Sequence, residues 1–330
     1  MILFSGALLW VALYPGARWL AGDLSGMDPP EKAEIINGAR QTLIQSLGIF
    51  SLIIAAGAYV VNRRQQLTSR FNDGVSAMSS TEMVRRIGGI NVLGEILRES
   101  PEQHNAVVSA ITAFVRERTR SPAGAARAGR PDEDVVAAMT VLATRPARTE
   151  PEGILDLSAT DLSGLRLAHA GLARANFRDA RLINTDLSGA DLQHALLDRT
   201  DLSEAILDGA NLLRCSMRHT VLRDARLVAT KLPRAVIIDA DLCGATLHRA
   251  DLTGAWLLNA RLDATDVART IMVDTWLRGD FRNVQNLSES QLLEARPVHD
   301  LRVGDGLAGH PQLVEHLGRH RMMVPPPEPF

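Results

Sequence analysis

Between residues 155 and 280, large apolar residues recur at every fifth position. They run from Leu157 through Leu162, Phe177, Met217, Ile237, Val267 and Met272 to Leu277, giving 25 consecutive centres without an insertion. Two positions before each centre stands a small residue, nearly always Ala or Thr, with Cys215 as the odd member and Leu155 and Leu165 as bulky exceptions. The other three positions are mostly Asp, Asn, Arg, Ser or Gly. A period of five fits neither the helix at 3.6 nor the strand at 2. Fixed-period self-similarity is the mark of a solenoid. Four pentads, about 20 residues, would close one square coil with centres and small residues inside. Coils stacked as parallel strands about 4.8 Å apart would give about six turns and a rod on the order of 30 Å long. Inserting one residue would turn inside to outside.

The pentads DLSGA, DLQHA, DLSEA, NLLRC, DLCGA and DLTGA resemble the A(D/N)LXX motif of the pentapeptide-repeat family. The resemblance covers more than a third of the chain, residues 150–280. It implies a mainly β fold for that part, a right-handed quadrilateral β-helix.

Apolar runs of another kind lie N-terminal to the repeats. Residues 43–61 carry no charge and meet Asn62, Arg63 and Arg64, and residues 1–21 are apolar apart from Ser5 and Arg18 but are interrupted by Pro15 and Gly16. About 20 apolar residues span a bilayer, so the second run predicts a transmembrane helix and the first a shorter one, a hairpin over residues 1–64. No basic residue precedes the first run as a signal peptide would require. Arg63, Arg64 and Arg70 crowd the exit of the second run, whereas Arg18, Lys32 and Arg40 lie in or near the intervening loop. By the positive-inside rule this places everything after Arg63 in the cytoplasm of a cell membrane.

Residues 65–146 change to helical spacing, with Met83, Ile87, Ile90, Leu93 and Leu97, then Val107, Ile111 and Phe114. Ser79 with Glu82, and Ser100 with Pro101 and Gln103, predict capped helix N-termini. Gly88 and Gly89 inside a helix cost about 1 kcal/mol each relative to Ala, which points to a close helix crossing before a ligand site. Residues 120–130, rich in Ala, Gly and Arg, read as a flexible linker, and a helix over about 132–144 leads into the repeats. Arg86, Gly88, Gly89 and Ile90, and later Phe114, Val115, Arg116 and Glu117, are similar to the helical linker preceding the repeats in bacterial membrane-associated pentapeptide-repeat proteins.

After Leu277 the five-residue register fails at Arg282, and NLSESQLLEA predicts a short helix within a C-terminal cap over 281–296, which would cover the last strand edge. Residues 297–330 are weakly patterned, with a helix expected over 311–322 and a Pro-rich tail.

Composition narrows the chemistry. With 330 residues, a formal charge of -2 and a pI near 6.5, the chain is no polyelectrolyte binder, and no nucleic acid is expected as a partner. Its two cysteines, Cys215 inward and Cys243 outward, are expected to stay reduced. Residues 20 apart should stack, which aligns Arg174, His194, Arg214 and Arg234 in one basic column. Such a column either is solvated, with Asp191, Lys231 and Asp251 on the same face, or takes an anionic partner. A second face collects Val236, Ile238, Trp256, Leu258 and Trp276, an apolar patch that needs covering by the chain's own C-terminal or helical segments or by a protein partner.

Neither a catalytic constellation nor a phosphate-binding loop is present in the sequence, and no cofactor or metal is expected. His316 and His320, four apart on one helix, lack a third ligand. The family resemblance raises one sharper alternative, a DNA-mimicking rod that binds type II topoisomerase. Residues 155–280 hold 17 acidic and 15 basic side chains, so this rod is near neutral, a poor copy of a phosphate backbone. The expectation is a non-enzymatic, membrane-anchored scaffold whose partners are the lipid bilayer and a protein, with a homodimer compatible.

Overall fold

The computed structural model describes residues 17–120, 131–146 and 155–320. The chain divides into two compact units, Met1–Ser69 and Arg70–Phe330. The expected first membrane run falls largely outside the described residues; its end forms helix α1, Ala17–Ala21. The second run lies within one unbroken 50-residue helix, α2, Pro29–Met78. It exposes Ile49, Phe50, Leu52, Ile53, Ile54, Tyr59, Val60 and Val61. Its most apolar 18-residue window has a mean hydropathy of 1.9 and is 0% buried.

In the second unit, α3 (Met83–Glu99), α4 (His104–Thr119) and α5 (Glu133–Ala143) pack around Ile90, Leu93, Ile96, Ile111, Val115, Met139 and Leu142. The end of α2 crosses α3 at Gly74 and Gly89, as the glycine pair predicts. A Cβ on Gly89 would sit 2.6 Å from the Gly74 carbonyl oxygen, whereas one on Gly88 would meet nothing within 4 Å. Only Gly89 makes the crossing. Arg70 clasps the same junction, donating to Glu95 and Glu99 at 3.0 Å each. The expected capping boxes before α3 and α4 do not form. Neither Glu82 nor Ser100 makes a side-chain cap; the Glu82 N–H donates instead to Ser80 Oγ.

The solenoid follows the pentad register throughout. All 25 centres are buried, as are the small residues between them, and parallel bridges join residues 20 apart from Asp156↔Asn176 to Asp251↔Ile271. On one face the bridges lengthen into strands β1 (Val236–Ile238), β2 (Trp256–Leu258) and β3 (Trp276–Phe281), continued in parallel by β4 (Arg296–Val303). Inward threonines are tolerated because each finds a carbonyl. Thr200, Thr220, Thr230, Thr265, Thr270 and Thr275 donate to the oxygen of the centre 23 residues earlier at 2.7–2.8 Å.

Both ends of the stack are finished by substitutes for a missing coil. Within the ladder an N–H donates to a carbonyl 21 residues earlier, as Arg181 does to Thr160. At the first coil no such carbonyls exist, and Asp161 donates instead to Thr119 of α4 and Gly171 to Ala143 of α5. Arg120 pairs antiparallel with Thr160, and Arg116 reaches Asp156 at 2.7 Å. The helices expected as a linker therefore cap the solenoid and share one hydrophobic core with it. Leu155 and Leu165, the bulky exceptions, both belong to this capped first coil and are buried there.

At the other end, α6 (Glu289–Glu294) carries a capping box between Ser288 and Gln291. The Gln291 amide donates to the carbonyls of Val267 and Thr270 at 2.8 and 2.9 Å. The register loses one residue there, pairing Asp266 with Gln285, 19 apart. Residues beyond 296 are better ordered into elements than their patterning predicts: β4 extends the sheet, and α7 (Asp305–Ala308) and α8 (Pro311–His320) follow.

Candidate functional surface on the solenoid

Each pentad turns one corner, and the residue two after each centre has positive φ, near 52–60° in the non-glycine cases. That is the left-handed residue a type II turn requires at its third position. The five N–H groups of a pentad are nearly all used by the ladder and the turn, except the one just after the centre. Asp or Asn just before the centre accepts it, as Asp186 does from Ser188 at 3.0 Å and Asp251 from Thr253 at 2.9 Å. This Asx turn is the physical reason for the D/N of the motif. Where that position is apolar or otherwise unable, a carboxylate one coil away serves. Asp198 accepts from the Arg218 N–H and Asp208 from the Val228 N–H, both at 3.1 Å.

Arg174, His194, Arg214 and Arg234 all occupy corner positions and stack 20 apart, as the register predicts. Arg174, Arg214 and Arg234 are exposed, and their side chains make no ion pair or hydrogen bond among the described residues. Their column explains this: the same corner on the adjoining coils holds His194, Arg214, Arg234 or Gly254, none of which offers a carboxylate. Partial burial and the charges of Arg174 and Arg214 hold the His194 imidazole below its ordinary range, against the opposing pull of Asp191. One other corner cation, Arg199, is paired, gripping Asp179 at 2.6 Å.

The apolar face is covered by the chain itself and not by a partner. Val236, Trp256, Leu258 and Trp276 are buried, Ile238 is half-buried, and Val298 of β4 packs with Trp256, Leu258 and Trp276 as a small second core. Arg296 lies 5.6 Å from the Trp276 ring centroid. Of the two coverings the sequence left open, the chain's own C-terminal strand is the one present, so this face is not free for a protein partner. His316 contacts the Ala295 carbonyl at 3.0 Å, a structural bond, and the side chain of His320 lies outside the described residues. Among the described residues no group of three or more His, Cys, Asp or Glu is arranged to hold a metal ion. An open groove between the start of α5 and the solenoid, with Val136, Leu165, Ile183 and the charged Arg166 and Glu204 along it, brings no reactive pair together.

Burial pushes the Cys215 thiol far up, leaving it inert. Cys243 is half-exposed, and partial burial together with Asp241 raises its thiol as well.

The pentads match the family model for pentapeptide repeats, in 8 copies over residues 156–193, 185–224 and 221–257. The matched stretch, residues 156–257, is less than a third of the chain, and it lies within the parallel β-solenoid, which has a helical region before it. The chain is similar to HetL, a pentapeptide repeat protein involved in heterocyst differentiation regulation from the cyanobacterium Nostoc sp. strain PCC 7120. Identity is 26% over 43% of this chain and 64% of that one, with a TM-score of 0.32. A pentapeptide repeat protein of the Arabidopsis thaliana thylakoid lumen is 28% identical over 34% of this chain and 74% of that one, with a TM-score of 0.29. QnrB1, a plasmid-mediated fluoroquinolone resistance protein, is 16% identical over 49% of this chain and 87% of its own, with a TM-score of 0.31. No curated protein matches the chain.

Proposed function

We propose that this protein is a membrane-anchored scaffold without catalytic activity, in which α2 crosses the bilayer and the capped solenoid is a protein-binding surface on the cytoplasmic side. The observation that carries the anchor is the run 43–61 within α2. It is uncharged and exposed, and water would leave its large apolar surface unburied. Arg63 and Arg64 directly after it support the cytoplasmic orientation. A convex solenoid whose centres are all internal has its outward side chains for binding, which favours a scaffold over an enzyme.

The two cysteines supply the test. Cys215 is buried, so Cys243 is the thiol open to reagent. A membrane-impermeant maleimide at alkaline pH should label Cys243 in inverted vesicles and spare it in right-side-out vesicles, and the protein should resist alkaline extraction. Labelling from the outer side, or release by carbonate, overturns the reading.

A further inference from the structure

Residues 155–280 hold 15 cationic side chains, and most lie beside a carboxylate or an amide on a neighbouring coil. Arg178, Arg181, Arg199, Arg218, Arg223, Arg226 and Arg261 have aspartate partners, and Arg278 donates to Asn259. Among the described residues seven have no such bond: Arg166, Arg174, Arg214, Lys231, Arg234, Arg249 and Arg269. Six of these seven belong to one face and its two edges. The face is made of residues 171–173, 191–193, 211–213, 231–233, 251–253 and 271–273. Arg174, Arg214 and Arg234 line one edge, Arg249 and Arg269 the other, and Lys231 lies between them. Against them stand Asp191, Asp251 and Asp274, of which Asp274 is already paired with Arg296 at 2.8 Å. A solenoid that is slightly acidic as a whole has therefore gathered its uncompensated positive charge on one side.

The outward positions of this face are mixed, with the most exposed apolar side chains on its last coil. Ile271 and Val273 are 46% and 39% exposed, and half-exposed Pro233 and Leu213 lie two and three coils back, with Asp251 and Thr253 on the coil between. Exposed apolar side chains interspersed with polar ones and bordered by arginines are the composition of a protein interface. We infer that this face docks an acidic amphipathic α-helix of a partner protein, lying along the solenoid axis. The dimensions agree. Three extended residues make a face about 10 Å wide, and a helix with its side chains is about 10–12 Å across. A helix's apolar stripe would cover Leu213, Pro233, Ile271 and Val273, while Glu or Asp on its two borders meet the two arginine edges. Side chains three and four apart on a helix stand about 5–6 Å apart, close to the coil repeat of about 4.8 Å. A second copy bringing the same face is disfavoured, because a two-fold axis would oppose arginine to arginine. Duplex DNA is disfavoured by Asp191 and Asp251 on the face and by its exposed apolar side chains.

This deepens the scaffold reading and rests on it, but its test does not depend on membrane sidedness. Full-length protein in detergent micelles is titrated into a fluorescein-labelled 20-residue helical peptide with a leucine stripe bordered by glutamates, and anisotropy is read. Binding should weaken at least 10-fold in Arg214→Gly/Arg234→Gly and in Ile271→Asp, should weaken with added salt, and should be unchanged in Arg199→Gly on another corner. Glycine suits these left-handed corners, so loss of binding in the double variant cannot come from unfolding, which a melting curve verifies. Equal binding of a matched peptide bordered by lysines instead of glutamates, or undiminished binding by the double glycine variant, overturns the inference. So does displacement of the peptide by a 20-base-pair duplex or by anionic vesicles, either of which would assign the face to phosphate.

Discussion

Twenty-five corners of the solenoid are left-handed, and only six of them carry glycine. The others include Ala, Arg and His, for which the left-handed region costs about 1–2 kcal/mol per residue, while Asn and Asp settle there more easily. Ala229 and Gly209 stand on the same corner in adjacent coils, and a Cβ at Gly209 would meet nothing within 4 Å. Ala229→Gly should therefore stabilise the protein by about 1 kcal/mol and Gly209→Ala should destabilise it by about as much, read from paired thermal melts. Asp198 shows a second residue-scale effect. Burial pushes its carboxyl up, but the Ser216 hydroxyl, the Arg218 N–H and Arg178 outweigh it, and the net shift is downward from 3.8. A depressed native pKa means this stabilisation is complete above the unfolded value and is lost as the pH falls through the native one. Acid unfolding below pH 3.8 should thus be less steep in Asp198→Asn, at the cost of lower stability near neutrality.

At the scale of elements, the adjacent glycines of α3 separate propensity from packing. Gly89→Ala drives a methyl into the backbone of α2 and should cost about 1–3 kcal/mol. Gly88→Ala enters open space and should gain up to about 1 kcal/mol of helix propensity. Equal effects in denaturant titrations would remove the crossing as the explanation. Gln291→Leu in α6 leaves the Thr270 carbonyl without its partner, an expected loss of about 1–3 kcal/mol.

At the scale of the molecule, the helices and the solenoid behave as one body because α4 and α5 supply carbonyls where a preceding coil would. Asp134, wholly buried on α5, is held by Arg86 of α3 at 2.6 Å and by Arg118 of α4 at 3.4 Å, while Arg86 also ties the Ser80 and Thr81 carbonyls. Arg86→Ala strands a buried carboxylate and should cost about 3–5 kcal/mol. Calorimetry of residues 70–330 should show one transition, moved down by that substitution, rather than an early helical melt before an unchanged solenoid. A fragment starting at residue 155 loses the cap and exposes a strand edge, so it should self-associate. Any supercoiling assay of the topoisomerase alternative should for that reason use residues 70–330.

The pentad register, the inward centres and the stacking of Arg174, His194, Arg214 and Arg234 follow from sequence alone, because a strict short period forces residues 20 apart into neighbours and an interior into every fifth place. The short helix at the C-terminal end and the glycine-marked crossing were legible for similar local reasons. Tertiary structure decided what depends on meetings between distant segments: that the helices complete the first coil, that β4 covers Trp256 and Trp276, and that Gly89 rather than Gly88 makes the crossing. It also decided which arginines find carboxylates. Sequence counts charges, but pairing depends on distances between coils and caps, and those exist only once the chain has folded.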